Sequence, residues 1–233
     1  GGIAKGSGMI HPNMATMLVF ITSDVSISPA LLKKALSSDI KNTFNMISID
    51  GDTSTNDMVC VLAAGTAGNK PVVHEDEDFE KFETALYGVM MNLARLMARD
   101  GEGATKLIEC VCSGADTEKT AEIVAKSVIT SSLFKAAMFG EDANWGRILC
   151  AVGYADADFD INMVDVSIGS VKGSVDVCKN GAGLEFSEEK AKEILEEEEI
   201  LISISIGNGS GSAVAWGCDL TYDYVKINGD YRS

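Results

Sequence analysis

Histidine is scarce in this sequence, since His11 and His74 are the only two among 233 residues. Catalytic triads and most zinc sites need histidine, and neither residue lies within a set of metal ligands. The scarcity disfavours most hydrolase mechanisms and zinc binding, so we expect no metal. A nucleophile that works without histidine is favoured.

Basic residues are also few. Lys and Arg number 19 against 35 Asp and Glu, which makes the formal net charge −16. Such a surface repels phosphate backbones and anionic lipid head groups. No apolar run approaches the roughly 18–20 residues of a membrane span, and residues 1–5 lack the apolar region of a signal peptide. We expect no nucleic-acid or membrane partner, and a cytoplasmic location with reduced cysteines.

The hydrophobic patterns predict a mixed α/β (α+β) protein. A strand is predicted over 16–22, and a second, of the fully buried kind, over 58–64. Residues 75–99 show the longest helical pattern, with an acidic first turn that suits the helix dipole. Further helices are predicted over 117–130 and, with Ser28 as N-cap and Pro29 at the first position, from Ala30 to about residue 37.

The C-terminal part carries a Gly/Ser-rich loop, residues 207–212. A phosphate-binding loop is followed by a helix, whereas a strand near 213–220 is predicted here, so we interpret the loop as a flexible hairpin connection. The last strand is predicted over 222–227.

The polar loop Asp50–Asp57 has oxygen-bearing side chains at alternating positions, like a calcium loop. Such a loop has Gly at its sixth position and Glu at its twelfth, and here these are Thr55 and Val61. We therefore favour a turn held by its own side chains, placed to line a cleft, over a metal site.

Ala15 and Thr16 lie where a Gly/Pro/Asn-rich segment meets the first strand. If the bond between them is cut, Thr16 gains an α-amine beside its hydroxyl, so nucleophile and base share one residue. An α-amine titrates at about 7.7–8.0, which suits a general base at neutral pH. Thr also opens strands through its β-propensity alone, so the pair by itself carries little weight.

The run Lys5-Gly-Ser-Gly-Met-Ile-His-Pro-Asn-Met-Ala-Thr-Met-Leu18 resembles the self-cleavage segment of the ornithine acetyltransferase (glutamate N-acetyltransferase) family. Members are made as one precursor that cuts itself before this Thr into an α and a β chain. The resemblance extends over essentially the whole chain. Further similar blocks are residues 50–57, 100–106, 139–148 and 216–233.

The resemblance implies a layered α/β/β/α sandwich of the N-terminal-nucleophile kind, followed by a C-terminal α/β domain. Residues 1–15 would end the α chain, 16–113 would form the β-chain part of the sandwich, and 114–233 would form the second domain, whose tail returns to the active site. The partners implied are a missing α-chain segment and an α2β2 heterotetramer.

The resemblance also implies a reaction of arginine biosynthesis. Thr16 would take the acetyl group of N2-acetylornithine and pass it to glutamate in a ping-pong scheme, with no cofactor. Whether acetyl-CoA serves as a second donor stays open. The matching substrate-binding positions are Lys5, Thr16, Glu102, Asn228 and Ser233.

The oxyanion donors of the family, a Thr-Gly pair, would lie upstream of this sequence, so we expect these 233 residues alone to be poorly active. Two alternatives stay open at this point. One is an aminopeptidase or amidase of a related fold, in which water accepts the acyl group. The other is a fragment that serves only as a non-catalytic subunit.

Overall fold

The computed structural model describes residues 1–11 and 17–230. It confirms the mixed α/β class, with a three-stranded and a seven-stranded sheet in the described part. The predicted residues Ala15, Thr16 and Ser233 lie outside the described residues. The division of the chain at residue 113 stays a prediction.

The three-stranded sheet carries the described residues on both sides of residues 12–16. Its central strand β2 (Leu18–Ser23) pairs antiparallel with β1 (Gly2–Lys5) and parallel with β4 (Met58–Ala63). Lys5, Leu18 and Met58 stand in one row across the sheet. Strand β1, which the sequence analysis did not predict, therefore leads directly into the segment that resembles a cleavage site.

The strand predicted over 58–64 is confirmed as β4, but the prediction that it is fully buried was wrong. Met58 is 41% and Leu62 56% exposed. In the described part β4 pairs with β2 alone, and the outer face of the sheet is uncovered there, since Leu18 and Phe20 of β2 are also 38–39% exposed. The continuous apolar run indicated two covered faces, but only the inner face, with Val19 and Ile21 of β2, lies in the core.

The long helix is confirmed as α2 (Glu77–Arg99). The Asp76 carboxylate accepts the N–H groups of Asp78 and Phe79 and so caps its first turn. A shorter predicted helix is α1 (Pro29–Asp39), which packs on α2. Leu96, which the periodicity places on the inner face of α2, is 52% exposed.

The seven-stranded sheet is built around β5 (Leu107–Ala115), which pairs antiparallel with one neighbour and parallel with the other. Helix α3 (Glu118–Thr130) packs on β5 and on its antiparallel neighbour β10 (Gly211–Cys218). In spatial order the strands are β3 (Ile47–Ser48), β10 (Gly211–Cys218), β5, β9 (Glu199–Ser205), β6 (Asp165–Ser170), β7 (Gly173–Lys179) and β8 (Ala182–Gly183). The helices of this half are α3 (Glu118–Thr130), α4 (Ser132–Phe139), α5 (Trp145–Gly153) and α6 (Glu188–Leu195).

The interpretation of residues 207–212 as a hairpin connection was wrong, because β5 lies between β9 and β10. The loop instead crosses the end of β5. A Cβ at Gly209 would lie 2.0 Å from the carbonyl oxygen of Ala115, so only glycine allows the two backbones to pass this closely. The loop thus serves a crossover within the sheet.

The strand predicted over 222–227 is a helix, α7 (Tyr222–Asp230). Strand β10 ends at Cys218, and the carboxylate of the next residue, Asp219, accepts the N–H groups of Thr105 and Lys106. Thr221 Oγ1 then accepts the N–H of Tyr224 and starts the helix. Local alternation of polar and apolar residues indicated a strand where these two contacts turn the chain.

None of the helices described in residues 1–11 and 17–230 is long and apolar enough to cross a membrane.

Candidate active site

Two of the predicted site residues meet, although 126 positions separate them in the sequence. The side-chain amide of Asn228, on α7, donates to Glu102 Oε2 at 2.9 Å. The same amide donates to the carbonyl oxygen of Tyr224 at 3.0 Å, which fixes its orientation on the helix. Glu102 and Asn228 therefore form one polar pair at the surface.

Glu102 is also held against the segment that follows β1. Its backbone N–H donates to the carbonyl oxygen of Ser7 at 2.9 Å. A Cβ at Gly8 would lie 2.4 Å from Glu102 Oε2. The Glu102 carboxylate thus occupies space that any side chain at position 8 would fill. The Gly-rich run and Glu102 are in contact and form one site.

Asp50, at the start of the polar loop, binds this segment from a third side. Its carboxylate accepts the backbone N–H groups of Met9 at 2.6 Å and Ile10 at 3.1 Å. Met9 has a φ of 53°, a left-handed conformation that costs a non-glycine residue about 1–2 kcal/mol. The two charge-assisted hydrogen bonds offset that cost.

Asp50 also joins the segment to the C-terminal helix, because it accepts a hydrogen bond from the Tyr224 hydroxyl at 3.2 Å. Burial, followed by the neighbouring Asp50 carboxylate, raises the pKa of Tyr224 to about 12. The phenol therefore keeps its proton at neutral pH and stays a donor. Below Asp50, the buried ammonium of Lys135 donates to the carbonyl oxygen of Ile49.

His11 is a structural contact of the same segment. Its Nδ1 lies 3.1 Å from Ser48 Oγ, and its carbonyl oxygen accepts from Thr53 Oγ1 at 2.9 Å. Burial, and after it the charge of Lys126, lowers the pKa of His11. The ring is thus neutral at physiological pH and is suited to hold the segment on the loop.

Asp57, at the far end of the polar loop, binds the chain directly after Thr16. Its Oδ1 accepts the backbone N–H of Met17, and the Met17 carbonyl oxygen accepts the N–H of Met58 at 2.7 Å. The other oxygen, Oδ2, is buried and has no hydrogen-bond partner among the described residues. Burial raises the pKa of Asp57, and the Met17 N–H opposes that rise.

The two ends of the loop Asp50–Asp57 therefore bind the segment on both sides of residues 12–16. Asp50 accepts the N–H groups of Met9 and Ile10, and Asp57 accepts that of Met17. Lys5 is exposed and pairs in register with Leu18, the residue after the Met17 that Asp57 binds. In the part of the chain that the structure describes, no group of three His, Cys, Asp or Glu side chains is placed to hold a metal ion.

Sequence reasoning missed Asp50, Asp57 and Tyr224 as contacts of the site. The signal for the first two was present, because an Asp stands at each end of the polar loop. Nothing local could have indicated Tyr224, whose hydrogen bond to Asp50 joins residues 174 positions apart. Thr16 and Ser233 lie outside the described residues, so their places beside Glu102 and Asn228 stay predictions.

A family model described as the ArgJ family matches residues 1–233. The arginine biosynthesis bifunctional protein ArgJ 1 of Clostridium acetobutylicum is 55% identical over 231 residues, which are 99% of this chain and 57% of that protein. The ArgJ protein of Caldanaerobacter subterraneus subsp. tengcongensis is 55% identical over 232 residues, 100% of this chain and 58% of that protein. The chain thus spans a little over half the length of these relatives.

Among solved structures, the crystal structure of the arginine biosynthesis bifunctional protein argJ from Bacillus halodurans superposes with a TM-score of 0.88 at 46% sequence identity. The match covers 93% of this chain and 100% of the crystallised chain.

Proposed function

The chain belongs to the ArgJ family, and from this premise we propose that it carries the nucleophile and most substrate contacts of an acetyltransferase of arginine biosynthesis. The proposed reaction moves the acetyl group of N2-acetylornithine to glutamate. The observation that carries the proposal is the meeting of Glu102 and Asn228 against the segment that leads to Thr16.

The proposed nucleophile is Thr16, freed when the bond to Ala15 is cut. Its hydroxyl oxygen attacks the acetyl carbon while its own α-amine accepts the hydroxyl proton. Ornithine leaves with that proton, and the α-amine of glutamate then attacks the acetyl ester, which restores Thr16. The curated relatives are named bifunctional, which supports a second donor, and we propose acetyl-CoA.

Substrate recognition in this proposal rests on charge. Glu102 is the natural partner of a substrate ammonium group, and the Lys5 ammonium of a substrate carboxylate. Asn228 orients Glu102 through the hydrogen bond of 2.9 Å. Ser233 completes the set at the end of the chain. No step requires a cofactor.

Self-cleavage between Ala15 and Thr16 is supported by the length of the solved relative. That whole crystallised chain corresponds to 93% of this one, and residues 16–233 make up about the same share of it. The uncovered outer face of the three-stranded sheet supports a second chain as partner, and we propose the upstream α-chain segment within an α2β2 heterotetramer.

We also propose a cytoplasmic location. All six cysteines are unpaired, as is usual in a reducing compartment.

The decisive experiment is an assay of the complete protein with N-acetylornithine and glutamate, with and without acetyl-CoA. We expect N-acetylglutamate as the product and an acetyl group on Thr16, detected by mass spectrometry. Acetate without N-acetylglutamate would instead indicate an amidase, and the absence of an adduct a non-catalytic subunit. Self-cleavage is contradicted by a Thr16→Ala precursor that still splits after Ala15.

A further inference from the structure

Asp57 has a carboxylate with one oxygen engaged and the other available. Oδ1 accepts the N–H of Met17, the residue after Thr16, whereas Oδ2 is buried and has no hydrogen-bond partner in the described ranges. A buried carboxylate oxygen without a partner is costly. A single hydrogen bond to the residue before β2 does not account for both oxygens.

Covalent geometry places a second donor next to the first. The backbone nitrogens of Thr16 and Met17 are joined through Cα and the carbonyl carbon, so they lie about 3–4 Å apart in any conformation. The Thr16 nitrogen is thus the donor nearest along the chain to the one that Asp57 Oδ1 binds, which makes it the candidate partner of Oδ2. Before cleavage this nitrogen is an amide, and after cleavage it is an amine that can carry a positive charge.

We propose that Asp57 is the positioning residue of the Thr16 α-amine, an inference that rests on the proposed function. The Thr16 hydroxyl is the nucleophile, its α-amine is the base, and the Asp57 carboxylate orients that base. This is the arrangement in which a third group holds the base of a nucleophilic pair. Asp57 touches neither substrate nor reacting oxygen and acts through the amine.

The proton never moves to Asp57 in this scheme. As the bond forms between Thr16 Oγ and the acetyl carbon, the hydroxyl proton passes to the α-amine, which becomes an ammonium beside the carboxylate. When the tetrahedral intermediate collapses, the bond from the acetyl carbon to the ornithine nitrogen breaks and the ammonium returns the proton to that nitrogen. The carboxylate stabilises the ammonium, which exists only between these two events.

Burial raises the pKa of Asp57 because the desolvated carboxylate lacks a counter-ion. An ammonium at Thr16 supplies one, and the coupling is reciprocal, so the carboxylate raises the pKa of the amine. Lys5 lies on β1 in register with Leu18. Cys60 lies on β4, and the neutral His11 lies at the other end of the segment. These groups are the same in an Asp57 variant.

The test uses the complete enzyme, assembled from the α-chain segment and a separately produced chain that starts at Thr16. This design supplies the amine even if a variant precursor does not cleave. The rate of Thr16 acetylation by N-acetylornithine is measured in single turnovers across pH. In wild type the rate rises with pH as the amine loses its proton.

For Asp57→Asn we expect two changes. The plateau rate falls about 100-fold, at the low end of a general-base contribution, because the ammonium loses its stabilising charge. The rising limb moves to lower pH by about one unit, because the pKa of the amine falls without the neighbouring carboxylate. A second variant, Asp57→Glu, keeps the charge. We expect its plateau rate to be lower than that of wild type and its rate to rise at the same pH.

The matched control is Asp76→Asn, which alters another carboxylate that accepts backbone N–H groups, at the start of α2. Asn caps a helix as well as Asp, so the plateau rate and the pH at which the rate rises should equal those of wild type. An Asp57→Asn enzyme with a slower rate and an unmoved limb would overturn the inference and show a structural role, as would an Asp57→Glu enzyme with a shifted limb. If wild type itself forms no acetyl-Thr16, the proposed function fails instead.

Discussion

Glu102 illustrates how one side chain at this site is set by contacts from distant parts of the chain. Asn228 donates to its carboxylate, Ser7 accepts its N–H, and Gly8 leaves it room. None of these contacts neutralises its charge. The carboxylate is therefore available to a substrate ammonium group, which makes its charge the feature to test.

Replacing Glu102 with Gln removes this charge and keeps the shape. We expect the KM for N-acetylornithine to rise about 10- to 100-fold, the loss expected for a hydrogen bond to a charged group, with little change in kcat. Steady-state kinetics of the complete enzyme would measure this. Glu189→Gln, at an exposed position of α6, is the control, and a KM equal to wild type in Glu102→Gln would contradict the assignment.

Asp39 affects stability rather than the reaction. It is 6% exposed, Oδ2 has no hydrogen-bond partner in the described part of the chain, and it ends α1, where the helix dipole disfavours a negative charge. Burial, and then the charge of Glu83, raises the pKa of Asp39 to about 6 from an ordinary 3.8. The folded state thus keeps this proton to higher pH than the unfolded state.

The sign of the effect follows from that order. The contribution of Asp39 to the free energy of unfolding is intact below about pH 4, falls as pH rises to about 6, and stays low above. Asp39→Asn removes the titration, so we expect a gain of about 1–3 kcal/mol at pH 7 and almost none at pH 4. Denaturant unfolding of the complete protein at both pH values measures it, and an equal gain at both would show that ionisation is not the cause.

At the scale of elements, α7 differs from the other long helices in how it is held. It has no buried side chain, and hydrogen bonds of Thr221, Tyr224 and Asn228 attach it to Gly103, Asp50 and Glu102. Helix α3, by contrast, buries five apolar side chains against the sheet. A helix without buried apolar contacts opens at low free-energy cost.

We therefore expect the backbone amides of α7 to exchange hydrogen about 100-fold faster than those of α3. Hydrogen–deuterium exchange followed by mass spectrometry of the complete protein compares the two helices in one sample. Tyr224→Phe, which removes the hydrogen bond to Asp50, should accelerate exchange in α7 and leave α3 unchanged. Equal protection of the two helices would mean that packing beyond the described contacts holds α7.

At the scale of the molecule, this chain spans 57–58% of the length of two family members. It contains the expected nucleophile and substrate contacts, whereas the resemblance places the oxyanion donors upstream. We expect residues 1–233 alone to show specific activity at least 100-fold below that of the complete protein, since one lost oxyanion donor costs about 10²–10³ in kcat. Equal specific activity per mole of Thr16 would contradict this.

The sequence alone was sufficient where a local rule decides the structure. Helix α2 follows from its periodicity and acidic first turn, and α1 from Ser28 and Pro29 at its start. The family followed from the run Lys5–Leu18 and the later blocks, because a long run of matched residues identifies a family without any coordinates.

Only the tertiary structure decided the features that depend on contacts between residues far apart in the sequence. Whether β4 has one covered face or two depends on what packs against its sheet, and whether residues 207–212 close a hairpin depends on β5, about 100 residues earlier. The hydrogen bonds of Asp50 and Asp57 to Met9, Ile10 and Met17 likewise join residues about 40 positions apart. Their positions in the sequence indicated a loop, and the fold made that loop the support of the chain on both sides of residues 12–16, because hydrogen bonds form between groups that are near in space rather than in sequence.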